Sequence, residues 1–106
     1  VKLLTKEILK KAKKQYVLAD DMEKQKIVAK FFDPYGKWTW YLMNMDPEDE
    51  DYCWGIVDGE AVEIGSFSMK ELQEIKAPWG NMPRIERDKW WKPRKAIDVW
   101  NELMGK

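Results

Sequence analysis

Apolar positions recur at helical spacing near both ends of the chain and alternate with polar ones through its middle, which predicts helices flanking a sheet. Ile8, Leu9, Ala12 and Tyr16 form one stripe, with Lys6, Lys10, Lys13 and Lys14 largely away from it. Thr5 is a good N-cap, and Leu4 and Leu9 have the spacing of a hydrophobic staple. The polar segment Ala19–Gln25 reads as a connection. Four strands are predicted next. Lys26–Phe32 is rich in β-branched and aromatic residues and ends at the turn signal Asp33-Pro34-Tyr35-Gly36. Trp38–Met45 places Trp38, Trp40 and Leu42 on one face and Thr39, Tyr41 and Met43 on the other. Asp46–Asp51 reads as a loop opened by Asp-Pro. Tyr52–Val57 and Ala61–Phe67 then form a hairpin around Asp58-Gly59.

Ser68-x-x-Glu71 is a capping box, and Phe67 with Leu72 gives a second staple, so a short helix starts at Ser68 and ends before Pro78. Pro78, Gly80 and Pro83 break regular structure over 77–83. Ile85–Trp91 reads as one more extended segment. Ala96, Ile97, Trp100, Leu103 and Met104 have helical spacing after Pro93, with Gly105 as the stop. The expected architecture over residues 1–106 is a single α+β domain: an antiparallel meander of four to five strands, covered on one face by about three helices.

The 106 residues are 44% hydrophobic and 36% charged, too apolar for a disordered chain and too charged for a membrane protein. Seven tryptophans allow a large core. No apolar run approaches the ~20 residues of a membrane span, and no secretion signal opens the chain. The single cysteine, Cys53, excludes an intrachain disulfide and fits a reducing, cytoplasmic setting. Charge sums to zero but is segregated. Residues 46–63 hold eight acids and no base, residues 1–16 hold six lysines against Glu7, and residues 84–95 hold six bases against Glu86 and Asp88. Separated poles suit oriented docking on a charged partner.

Histidine is absent, which removes the histidine-based triads, pairs and metal sites. Cys53 reads as a buried apolar residue. No cofactor, metal or catalytic residue is expected, and the chain reads as a binding protein rather than an enzyme. Asp46, Glu48, Asp49, Glu50 and Asp51 lack the spacing of a calcium loop. They read either as a solvated loop or as an acidic patch that docks on a basic groove. Lys10, Lys14, Arg84, Arg87, Lys92 and Arg94 are candidates for nucleic-acid phosphates, with Trp90 and Trp91 as stacking or interface anchors. Alternation along a strand puts one of these two tryptophans in the core and the other near the surface. Glu86 and Asp88 on one side of a strand suggest a weaker rival, a metal-dependent nuclease. The plainer reading pairs them with neighbouring bases, or has Arg87 bridge to the acidic region.

Lys2-Leu3-Leu4-Thr5-Lys6-Glu7, Val28-Ala29-Lys30-Phe31-Phe32-Asp33-Pro34, Trp38-Thr39-Trp40-Tyr41, Asp46-Pro47-Glu48-Asp49, Gly65-Ser66-Phe67-Ser68 ahead of Glu71-Leu72, and Ile85-Glu86-Arg87-Asp88 follow in order. Over roughly residues 2–93 the chain thereby resembles the domain of unknown function 2958 family of small plasmid- and phage-borne proteins. The resemblance does not reach the last helix. It implies a mobile-element accessory protein in a bacterial host cell, with no catalytic residues to carry over. On that basis the leading expectation is a non-enzymatic inhibitor of a host-defence protein or nucleoprotein, of anti-restriction or anti-CRISPR type. Its acidic patch would sit in a basic nucleic-acid channel such as that of a Cas9-type effector. A nucleic-acid-binding accessory protein is the alternative.

Overall fold

Thr5 caps the first helix as its position requires. Its hydroxyl accepts from the Ile8 N–H at 3.2 Å, and α1 spans Lys6–Lys14 in the computed structural model, which describes residues 2–105. A 3-10 turn over Tyr16–Leu18 follows. The strands are β1 (Lys26–Ile27), β2 (Ala29–Phe32), β3 (Thr39–Asp46), β4 (Asp49–Asp58) and β5 (Val62–Ser68). Helix α2 (Met69–Glu74), strands β6 (Glu86–Arg87) and β7 (Arg94–Lys95) and helix α3 (Ala96–Leu103) complete the order. The main sheet has five antiparallel strands in the order β5-β4-β3-β2-β6, so the α+β meander stands. A separate two-stranded sheet joins β1 to β7.

Four expectations are corrected. The segment Lys26–Phe32 is not one strand: it breaks at Val28, whose N–H donates to Leu42 O, and its two halves belong to different sheets. Asp46–Asp51 is not a loop. Asp46 pairs with Asp49 across Pro47-Glu48, and Asp49–Asp51 already belong to β4. Of Ile85–Trp91, only Glu86–Arg87 is strand. Helices also cover both sheet faces rather than one. Leu3, Ala12, Met69 and Leu72 from α1, α2 and the N-terminal segment pack with Phe31, Trp40, Leu42, Met45 and Cys53. On the other face, Ala96 and Val99 of α3 pack with Ile27, Tyr41, Met43 and Ile56. Each large apolar side chain so buried contributes roughly 1.5–3 kcal/mol.

The alternation of β3 is as expected up to Met43: Trp40 and Leu42 enter one cluster, Tyr41 and Met43 the other. A bulge between Leu42 and Asn44 then shifts the phase, so Met45 returns to the side of Leu42. Beside this bulge stand the buried polar residues Asn44 and Gln25. Asn44 Nδ2 donates to Ala19 O (2.8 Å) and Gln25 Oε1 (2.9 Å), and Gln25 Nε2 donates to Ala19 O and Asp21 O, both at 2.9 Å. These bonds hold Ala19 at φ 49°, ψ −119°, the first central position of a type II′ turn closed by Asp21 N–H to Leu18 O.

At the C-terminal side, α3 has no side-chain cap. Its first N–H groups instead donate to the connection, Ala96 to Gln25 O and Ile97 to Met22 O, both at 3.0 Å. Gly105 has φ 77° just past the helix, as its role as a stop requires.

Candidate partner-docking site

The acidic run forms the tip of the β3–β4 hairpin, and internal bonds organise it. Asp46 Oδ1 accepts from the Glu48 N–H at 2.9 Å and Asp49 Oδ1 from the Asp51 N–H at 3.1 Å. Glu50 pairs with Lys13 of α1 at 2.5 Å. Asp51 Oδ1 accepts from the Ser68 hydroxyl and the Lys70 N–H, both at 2.7 Å, which ties it to the start of α2. Those two donors hold its carboxyl below the usual carboxylate range, against a smaller opposing effect of burial. The Ser68 cap itself accepts from the Glu71 N–H at 3.1 Å. Residues 47–51 are exposed and Asp46 is half-buried.

The eight acids of 46–63 do not form one pole. Asp58 pairs with Thr39, at the opposite end of β3 from Asp46. Seven residue steps separate them, roughly 23 Å at the usual rise of about 3.3 Å. Asp46–Asp51 therefore stand at one end of the sheet, and Asp58 and Glu60 at the other.

Beside the acidic tip lies an open cavity of about 450 Å³ lined by Tyr16, Ala19, Asp20, Asn44, Tyr52 and Trp54. Tyr52 and Trp54 flank Cys53 in β4. Because Cys53 enters the core on one face, the two rings share the other. Tyr16 arrives from the 3-10 turn, and its hydroxyl donates to Asp46 Oδ2 at 3.5 Å. Burial, then the Asp46 charge and the Tyr52 hydroxyl, raise the Tyr16 pKa above its ordinary value. Trp54 Nε1 is buried with no hydrogen-bond partner among the described residues. This cavity was not anticipated. The spacing Tyr52-x-Trp54 around a core Cys53 is the sequence signal that could have found it.

At the far end of β3 a groove of about 580 Å³ runs between Trp38 and Trp90, with Lys30, Phe32, Arg87 and Lys89 on its walls. Trp90 is 88% exposed, whereas Trp91 is partly buried, donates Nε1–H to Ile27 O at 2.9 Å and packs on Tyr41. The split between the two tryptophans is as expected, but they stand after β6 in a turn rather than in a strand. Nearby, Asp33 and Arg84 pair at 2.9 Å. Burial raises the Asp33 pKa, but the Arg84 hydrogen bond, the Tyr35 N–H and the Arg84 charge together leave it lowered. Tyr35 meets Trp79 edge-on, 5.0 Å between ring centres, and Trp79 is 60% exposed. Trp79 was also missed. A tryptophan set between Pro78 and Gly80 has no regular element to be buried by, and that is its sequence signal.

The remaining candidates are dispersed. Lys10 and Lys14 are exposed on α1, which covers one sheet face. Arg94 is bound to Glu102 of α3, which covers the other. Arg87 donates to Lys2 O rather than bridging to the acidic tip, and Lys92 is exposed. Asp88 accepts from the Trp90 N–H at 2.9 Å. Glu86 and Asp88 join no cluster of three metal-ligating side chains among the described residues. Cys53 is buried. Burial, followed by the Asp51 charge, raises its pKa to about 12. No helix among the described residues is long and apolar enough to cross a membrane.

A sheet covered on both faces, with a charged hairpin tip and exposed aromatic surfaces, defines a small α+β domain. Over residues 3–105 the chain matches the model of the family described as protein of unknown function (DUF2958), and it belongs to that family. The match includes the last helix, beyond the reach expected from the motifs alone. No curated protein and no solved structure matches the chain.

Proposed function

We propose that this chain is a non-enzymatic accessory protein of a mobile element that binds and inhibits a host-defence effector of anti-restriction or anti-CRISPR type. Its acidic hairpin tip docks in a basic channel built for nucleic acid, Cas9-type channels included. The observation that carries this reading is the build of the tip. The carboxylates of 48–51 are exposed, yet turn bonds at Asp46 and Asp49, the Lys13–Glu50 pair and the Ser68–Asp51 link hold four of the five acids in place. A fixed array of charge loses less conformational entropy on docking than a floppy acidic loop.

The test is capture from bacterial cells carrying restriction and CRISPR effectors, with and without nuclease, using the parent and Glu48→Gln/Glu50→Gln. Those two positions are chosen because Asp46, Asp49 and Asp51 also hold the turn and the α2 start. Nuclease-resistant capture of an effector that weakens in the variant, with a shallower salt dependence, supports the reading. Equal capture by parent and folded variant removes the docking mechanism.

A second reading, a nucleic-acid-binding accessory, is favoured by one observation: Trp90 stands free beside Lys30, Arg87 and Lys89 in one groove. It predicts that single-stranded DNA or RNA quenches Trp90 fluorescence, with affinity falling steeply with salt. No quenching at low salt with either nucleic acid, and no difference between the parent and Trp90→Ala, excludes it.

A further inference from the structure

We infer that the cavity formed by Tyr16, Tyr52 and Trp54 is a receptor for an arginine side chain of the partner, so that the acidic tip carries a specific guanidinium pocket at its side. The inference rests on the docking reading for its occupant and on the cavity for its chemistry. Three aromatic residues line one open cavity of about 450 Å³, a composition that suits a cation, which ring faces attract. Among the described residues no basic side chain lines it, while Asp20 does, and Asp46 lies just beyond the Tyr16 hydroxyl. Burial is the main cause of the raised Tyr16 pKa, and the Asp46 charge adds to it. Of the two cationic side chains, the guanidinium is planar, stacks on rings and is the more weakly hydrated. A basic channel that tracks phosphates is rich in it.

A second observation points to the same place. Two unusual costs of this fold both fall on residues of the cavity wall: Ala19 holds a positive φ, and the Trp54 indole N–H is buried without an acceptor among the described residues. Such costs concentrate at binding sites, where the surrounding structure holds a fixed shape against them. Here the buried Asn44 and Gln25 amides clamp Ala19 O and so fix the cavity floor.

The test is a titration of the isotope-labelled chain with a short glycine-flanked arginine peptide, following the indole N–H resonance of Trp54. Matched peptides carry citrulline, which keeps the shape without the charge, or lysine. The expected result is a Trp54 shift that saturates with the arginine peptide and binds at least tenfold tighter than citrulline. Tyr52→Ala, at a ring that is 41% exposed and outside the core, weakens binding at least fivefold. Glu48→Gln/Glu50→Gln changes it less than twofold. Equal binding of citrulline, tighter binding of lysine, or no effect of Tyr52→Ala in a folded protein overturns the pocket. The two readings separate cleanly. An arginine peptide that binds while no effector is captured leaves the pocket standing and sinks the partner. Effector capture that is indifferent to Tyr52→Ala does the reverse.

Discussion

Replacing Ala19 by glycine should make this protein more stable, although it removes a methyl group. Ala19 sits at φ 49°, ψ −119°, where a side chain crowds the backbone and glycine does not. Strain of this kind costs about 1–3 kcal/mol. Glycine gives back roughly 0.4–1 kcal/mol through a more disordered unfolded chain. Little packing is lost, since Ala19 is exposed. The net expectation is a gain of about 1 kcal/mol, which for a domain of this size raises Tm by roughly 4–5 °C. The hydrogen bonds that Ala19 O accepts from Asn44 and Gln25 belong to the backbone and survive the change. Urea denaturation of the parent, Ala19→Gly and Ala19→Val measures it. β-Branching should make valine worse than alanine at this φ. A glycine variant no more stable than the parent, or a valine variant equal to it, refutes the claim that the turn is strained.

Two glycines of the central hairpin should respond oppositely to alanine. A Cβ at Gly55 would stand 1.9 Å from Tyr41 O, so Gly55→Ala should cost about 3 kcal/mol or more. Gly65 has nothing within 4 Å of the added atom, so Gly65→Ala should be neutral or stabilising by about 0.5 kcal/mol. Denaturant midpoints decide both. Cys53, with its pKa pushed up to about 12, should resist iodoacetamide at pH 8 while folded and react once the chain is unfolded. Native labelling at the rate of a free thiol contradicts its burial. The unfolded thiol ionises near ~8.5 and the folded one near 12, so Cys53 withdraws stability as pH rises between them. The Asp51 carboxyl behaves in the opposite sense. Its folded pKa is lowered, so its contribution is complete above the unfolded value of ~3.9 and is lost as pH falls through the folded one. Amide exchange at Lys70 and Glu71 should quicken in Asp51→Asn at pH 7, and parent and variant should converge in strong acid. Unchanged exchange at pH 7 means that Asp51 does not hold the start of α2.

Local chemistry made much of the fold legible. Thr5 and Ser68 announce their helices because each cap is satisfied within three residues, and Trp40 to Met43 announce their faces because alternation is a property of the strand itself. What the chain does not announce depends on partners far along it. Val28 breaks a run of strand-forming residues because β1 belongs to Lys95 and Arg94, while β2 belongs to β3. The acids of 49–51 look like a loop until Met45 and Ser68 are known to lie across from Cys53 and Tyr52. The cavity needed three separate elements, the turn at Tyr16, the bulge beside Asn44 and the alternation around Cys53. Only the last can be read directly from spacing. Charge misled in the other direction. Eight acids in one stretch suggest one pole, but a hairpin strand runs away from its tip and carries Asp58 and Glu60 to the far end.

The pairing of β1 with β7, and the cover that α3 lays on Ile27, Tyr41, Met43 and Ile56, set a timetable for biosynthesis. A growing chain can assemble β2 to β5 with α1 and α2 and so close one face of the sheet. The second face stays bare until residue 103 has cleared the ribosome. Through that interval the nascent chain displays a sticky, aromatic sheet surface, so the delay before α3 docks sets how long that surface is exposed to aggregation.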